Sequence, residues 1–88
     1  MKKQLKISGG SPVKETAGSI VKSYDEGADE IILRAIGASA VNQAVKAMAT
    51  ARSIFAQKGL DACFRPGYDE LEIEGQKKTV IVFRVEVK

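Results

Sequence analysis

Glu30-Ile31-Ile32-Leu33-Arg34-Ala35-Ile36, followed at once by Gly37-Ala38-Ser39, decides the architecture of this chain. The run is nearly all apolar and too short for a free-standing helix. It reads as an interior strand, covered on both faces or paired on both edges. Gly37-Ala38-Ser39 supplies the turn, with Ser39 as helix cap. A long helix is expected from about Ala40 to Gln57, stopping at Lys58-Gly59, a basic last turn followed by glycine. Upstream, Leu5 and Ile7 alternate with Lys6 and Ser8, the period-2 pattern of a short strand with one covered face. Gly9-Gly10-Ser11-Pro12 then breaks the strand, with Ser11 suited to the N-cap and Pro12 to the first helical position. Val13, Ala17, Ile20, Val21 and Tyr24 follow at three- and four-residue steps, and Gly27 is the stop. Strand, helix, strand with short joints predicts a parallel pair joined by a right-handed crossover.

Downstream of the long helix the pattern is a hairpin. A strand is expected to begin over Leu60 to Phe64, to be interrupted at Arg65-Pro66-Gly67, and to resume over Tyr68 to Glu74. Pro66 lacks an N–H, so a bulge or an edge position is expected there. Glu74-Gly75-Gln76 makes the turn, and Thr79, Ile81, Phe83, Val85 and Val87 share one face of the last strand, opposite Val80, Val82, Arg84 and Glu86. No linker, low-complexity tract or internal repeat interrupts the 88 residues. The expected architecture is one domain over residues 1–88, a two-layer α+β sandwich in the order β-α-β-α-β-β, with a mixed sheet carrying both helices on one face.

Composition narrows the chemistry. The chain has no histidine and no tryptophan, and Cys63 is its single cysteine. A lone cysteine closes no intramolecular disulfide, which favours a reducing compartment. The commonest general base is absent, and no metal or cofactor site is expected. Cys63, between Ala62 and Phe64, is expected to be a small buried hydrophobe rather than a nucleophile. Asp69, Glu70, Glu72 and Glu74 form an acidic run, but their alternation with Leu71 and Ile73 fits a solvent-facing strand better than paired catalytic carboxylates. No catalytic activity is expected. No apolar stretch approaches the roughly 18 residues of a membrane span, and Met1-Lys2-Lys3-Gln4-Leu5-Lys6 leads into no apolar core of a signal peptide, so a cytoplasmic protein without membrane partners is expected.

Charge points towards polyanions. The net charge is +3, with nine Lys/Arg against five Asp/Glu over residues 1–60 and five against six over residues 61–88. The positive field thus belongs to the first two-thirds of the chain. Two turns stand where chains enter helices, and free N–H groups at such places favour anions. One is Gly9-Gly10-Ser11, flanked by Lys6 and Lys14; the other is Gly37-Ala38-Ser39, with Asn42 and Lys46 following. Lys77 and Lys78 come just after the hairpin turn. A polar stripe of Ser39, Gln43, Lys46, Thr50, Ser53 and Gln57 runs down the long helix, while Val41, Ala44, Val45, Met48, Arg52 and Phe55 lie on or beside its apolar face. Its many alanines permit close approach to another backbone, though alanine is also simply the best helix former.

The stretch from Ala35 to Arg52, AIGASAVNQAVKAMATAR, resembles the signature of the stage V sporulation protein S family. The likeness continues through Gly59-Leu60-Asp61, the Pro66 region and Leu71-Glu72-Ile73-Glu74-Gly75, and upstream through Leu5-Lys6-Ile7-Ser8 and the first helix. That family is in turn similar to the Alba group of small dimeric nucleic-acid-binding proteins. The resemblance implies an Alba-like fold and a sporulation-linked or regulatory bacterial protein that forms a homodimer and binds DNA or RNA. It also implies contacts from the first loop and the start of the second helix, here Gly9, Gly10, Ser11, Lys14, Gly37, Ser39, Asn42 and Lys46. Two departures stand out. The first loop has no adjacent lysine pair, and the hairpin arms, basic in many Alba proteins, carry Asp69, Glu70, Glu72 and Glu74 with only Lys77 and Lys78 near the tip.

The expectation carried forward is a phosphate-backbone binder with little base specificity, using Lys6, Gly9, Gly10, Ser11, Lys14, Gly37, Ser39, Asn42, Lys46, Lys77 and Lys78. The alternatives are a dimeric protein-interaction module and a sensor holding a small anion at the Gly37 turn.

Overall fold

A computed structural model describes residues 1–88 and contains the six expected elements in the expected order. These are β1 (Lys2–Ile7), α1 (Val13–Asp25), β2 (Glu30–Ala35), α2 (Ala38–Gln57), β3 (Ala62–Ile73) and β4 (Gln76–Val87). They form one four-stranded mixed sheet in the order β1-β2-β4-β3. β2 runs parallel to β1 and antiparallel to β4, so the decisive apolar run is paired on both edges. Its side chains divide by parity. Ile31, Leu33 and Ala35 are buried beneath the helices, while Ile32 and Arg34 lie half-buried on the opposite, uncovered face.

The core lies between the sheet and the two helices. Leu33 stands opposite Phe83 and Ile31 opposite Val85, and Ile20, Phe55 and Met48 close over them from the helices. Burying each such side chain contributes about 1.5–3 kcal/mol. Tyr24 and Phe55 meet edge-to-face, with ring centroids 5.4 Å apart, which ties the end of α1 to α2. Ala40, Ala44, Ala47 and Ala51 are all buried. Their small side chains let the backbone of α2 approach its neighbours, so alanine here serves packing as well as helix propensity.

Several expectations are corrected. β3 is unbroken from Ala62 to Ile73, in continuous register with β4 and without a bulge at Pro66. Because β3 is the last strand of the sheet, Pro66 occupies an edge and its missing N–H removes no essential ladder bond. Cys63 is exposed, since it lies on the uncovered side of that edge strand. Val45 and Arg52, read as part of the apolar face of α2, point outward instead: Val45 is 48% exposed. Neither expected serine caps a helix. Pro12 and Gly37 occupy the N-cap positions and neither helix start has a side-chain cap; the Thr16 hydroxyl donates to the Pro12 carbonyl instead.

Ile81 of β4 pairs with Ala35, the last residue of β2. The stretch 76–80, paired with 69–73, therefore runs past the end of β2 as a two-stranded arm. At roughly 3.4 Å per residue the five-residue overhang reaches about 17 Å, consistent with a molecule 45 Å long and only 24 by 18 Å across.

Candidate nucleic-acid interface

Parallel strands joined through helices end on the same side, and each then hands the chain to a helix that starts there. β1 and β2 pair Ile7 with Ala35 at their last positions, so the loop before α1 and the turn before α2 are neighbours. The contact is close. A methyl group at Gly9 would sit 2.8 Å from Cβ of Ser39, so only glycine fits against the first turn of α2. The Gln43 side-chain amide donates to the Ser11 carbonyl at 2.8 Å, bracing the first loop from the second helix. Within that loop the Ser8 N–H donates to Ser11 Oγ at 2.9 Å, which explains why Ser11 folds the turn instead of capping α1. Gly37 enters α2 at φ +90° and ψ 159°, a region essentially closed to residues with a Cβ.

Two helix N-termini thus lie side by side without side-chain caps. Thr16 N–H and Val41 N–H make the first backbone bonds, to Pro12 and Gly37 respectively, and the N–H groups ahead of them form the positive ends of both helix dipoles. Around this end stand most of the expected contact residues. Lys14 is the second residue of α1 and Ser39 the second of α2, and both are exposed. Asn42 is exposed one turn further along α2, and Lys46, eight residues in, stands back by about 12 Å at 1.5 Å per residue. Lys77 and Lys78 ride on the arm, which overhangs the same end.

The cations share an end of the molecule but not a layer. Leu5 and Ile7 point to the helices, so Lys6 lies on the uncovered face of the sheet. Lys14 and Lys46 belong to the helical layer. Lys78 follows the parity of Val80 and Val82 and Lys77 that of Ile81, so the arm offers one lysine to each side. The arm also carries Asp69, Glu70, Glu72 and Glu74, which leaves it net acidic.

Ion pairing separates the two kinds of cation. All four arginines are engaged: Arg34 with Asp69, Arg52 with Asp61, Arg65 with Glu86 and Arg84 with Glu30. Among the ten lysines only Lys58 has an acidic partner, Asp25. Lys6, Lys14, Lys46, Lys77 and Lys78 are left without an acidic partner within the chain. Asp69 is spoken for: the Arg34 guanidinium, helped by the Glu70 N–H, holds its carboxyl below the usual carboxylate value.

The sequence model for stage V sporulation protein S matches residues 3–88. The chain belongs to the stage V sporulation protein S family. Its fold is Alba-like. Among solved structures it is similar to Alba from Thermoplasma volcanium, with a TM-score of 0.61 at 20% identity over 97% of this chain and 98% of that one. At that identity the likeness speaks for the fold, and the resemblance read from Ala35 to Arg52 agrees with both findings.

Within this stage V sporulation protein S fold, three residues matter that sequence reading passed over. Arg34 sat in the nearly all-apolar run without a role, Gln43 was one member of the polar stripe of the long helix, and Val80 stood on the strand face opposite Ile81 and Phe83. The first pins the arm, the second braces the two loops, and the third is buried on the uncovered face. Only Arg34 carried a signal, as a charge in an otherwise apolar run. No three metal-ligating side chains gather anywhere, and no helix is long and apolar enough to cross a membrane.

Proposed function

We propose that this chain is a non-catalytic, single-domain nucleic-acid-binding protein of the cytoplasm, acting as a homodimer on the phosphate backbone with little sequence preference. The observation that supports it best is the end where α1 and α2 begin: two helix starts without side-chain caps, locked together through Gly9, Ser39, Gln43 and Ser11, at an end where lysines without acidic partners stand on both layers. Backbone N–H groups and unpaired ammonium groups are what a phosphate ester recognises, and neither reads base edges. The Alba fold of the neighbour from Thermoplasma volcanium lends the same direction. The carboxylates of the arm repel a polyanion, so in this reading only Lys77 and Lys78 of the arm take part. Gly9, Gly10, Ser11, Lys14, Gly37, Ser39 and Asn42 form the centre of the contact, and Lys6, Lys46, Lys77 and Lys78 its rim.

The dimer reading rests on α2. Ala38, Val45, Ala49 and Ala56 are exposed along one side of that helix with Val41 half-buried among them, and Tyr68 on β3 is 82% exposed on the helix-bearing side of the sheet. Small and apolar residues in such a row suit a second copy of the same helix better than water.

Fluorescence anisotropy with labelled duplex DNA and single-stranded RNA at two salt concentrations tests the function. Binding at low salt that weakens with a log–log slope near −0.9 per neutralised phosphate on duplex is the expected result. No binding to either polymer in dilute buffer overturns it and leaves the exposed face of α2 as a protein-docking module.

A further inference from the structure

Val80 is 1% exposed although its neighbours Ile81 and Phe83 are the residues that face the helices. It therefore points to the uncovered side of the sheet, outside the main core. What shelters it is a small recess at the root of the arm. Lys6 of β1, Ser8 of the first loop, Arg34 and Ile36 at the end of β2, and Leu71 and Val80 of the hairpin surround this recess, whose volume is about 260 Å³. Ile7, Ile36, Leu71 and Val80 make its walls largely apolar. Ile36 is 39% exposed beside it, an apolar side chain left at the mouth rather than withdrawn into the core.

The polar groups lining the recess are two cations and a hydroxyl, with the Asp69 carboxylate already engaged by one of the cations. Lys6 is a cation with no acidic partner. The Arg34 guanidinium is 24% exposed and held in place by Asp69 at 2.7 Å, so it is oriented in advance. Ser8 Oγ is 3.2 Å from Ser11 Oγ. A recess offering hydrogen-bond donors and positive charge over an apolar floor matches a ligand with an apolar body and an anionic end. A nucleobase edge, which presents donors and acceptors together, finds fewer partners here.

We propose that this recess binds a small organic anion with a compact apolar body, of the aromatic or branched aliphatic carboxylate class. The body packs on Val80, Leu71 and Ile36, and the carboxylate accepts from Lys6 and from the free N–H groups of Arg34. The site adjoins the two helix starts and shares Gly9 and Lys6 with the contact proposed above, but its apolar floor faces the uncovered side of the sheet, and its test does not depend on nucleic-acid binding.

The test is a titration of the uniformly 15N-labelled protein with 2-naphthoate, followed by amide chemical shifts, with neutral 2-naphthamide as the matched control. Saturable shifts confined to residues 6–9, 34–36, 71 and 80, and much weaker for the amide, are expected. Leu71→Glu, on the half-exposed arm where folding is not at risk, abolishes those shifts by filling the mouth with negative charge, and Lys6→Gln weakens binding about three- to fivefold. Three results would each overturn the proposal: no saturation at millimolar naphthoate, equal response to the amide, or unchanged binding in Leu71→Glu. An unaltered spectrum of the free Leu71→Glu variant outside the arm verifies that its fold is intact.

Discussion

The Arg34 guanidinium donates to the Asp69 carboxylate at 2.7 Å across a strand that belongs to neither residue. Arg34 lies on β2 and Asp69 on β3, and β4 runs between them. The ion pair therefore straps the root of the arm to the centre of the sheet, at the point where β2 ends and the hairpin loses its third strand. Arginine suits this position because its planar head reaches sideways over Val82 with several donors in a fixed fork.

Removing the strap loosens the arm more than it destabilises the fold. Asp69→Asn and Arg34→Gln are expected to speed amide hydrogen exchange over residues 69–80 several-fold while leaving Leu33 and Phe55 protected. The pH dependence has a definite sign. Asp69 has its carboxyl depressed by Arg34 first and by the Glu70 N–H second, so its contribution is complete above the unfolded value near 3.8 and disappears as pH falls through the lower folded value. Exchange of the arm in the wild-type protein should thus approach that of Asp69→Asn only below that range. Equal exchange rates at pH 6 would show that the pair restrains nothing.

Two adjacent glycines are expected to behave differently. Gly9→Ala forces a methyl group against Cβ of Ser39, which has no rotamer by which to escape, whereas a methyl group at Gly10 meets nothing within 4 Å. Gly9→Ala should cost about 1–3 kcal/mol and separate the two loops, and Gly10→Ala should stay within about 0.5 kcal/mol of wild type. Urea denaturation of both variants measures the contrast.

Charge changes at the candidate interface should act on all nucleic-acid sequences alike. Lys14→Gln and Lys46→Gln are each expected to reduce the salt slope of duplex binding by about 0.9 where the lysine meets a phosphate. The double change Glu72→Gln with Glu74→Gln should strengthen binding, since it removes repulsion from the overhanging arm. Anisotropy titrations across a salt series separate these effects, and sequence-dependent losses would point to base readout instead.

Self-association is expected to depend on the exposed row of α2. Val45→Glu places a charge at its centre and should shift a dimer towards monomer in sedimentation equilibrium, with an unchanged circular dichroism spectrum because Val45 is outside the core cluster. A dimer that survives Val45→Glu would move the interface elsewhere.

Element order, strand directions and family were readable in the chain because each rests on local signals. Glu30–Ile36 reads as an interior strand from its short apolar run between turn signals, Gly27 and Gly59 end the helices with φ near +80°, and both helices follow glycine turns. Local rules misjudged the caps. Ser11 had a nearer partner in Ser8, and Gly37 took the N-cap because its backbone conformation excludes a side chain there. Cys63 and Val45 were misplaced for a related reason: hydrophobicity states a preference for burial, while strand order and helix rotation decide which positions are granted it.

Periodicity and turn chemistry in the sequence alone determined a two-layer β-α-β-α-β-β chain whose cations cluster early. Pairing settled the rest. Only the three-dimensional register set Ile81 against Ala35 and so threw the hairpin beyond the sheet, laid the two helix starts together, gave every arginine an acid and left nearly every lysine without one. Apart from Arg52 and Asp61, nine positions apart, those outcomes depend on contacts between residues some twenty to fifty positions apart, which no local window along the chain contains.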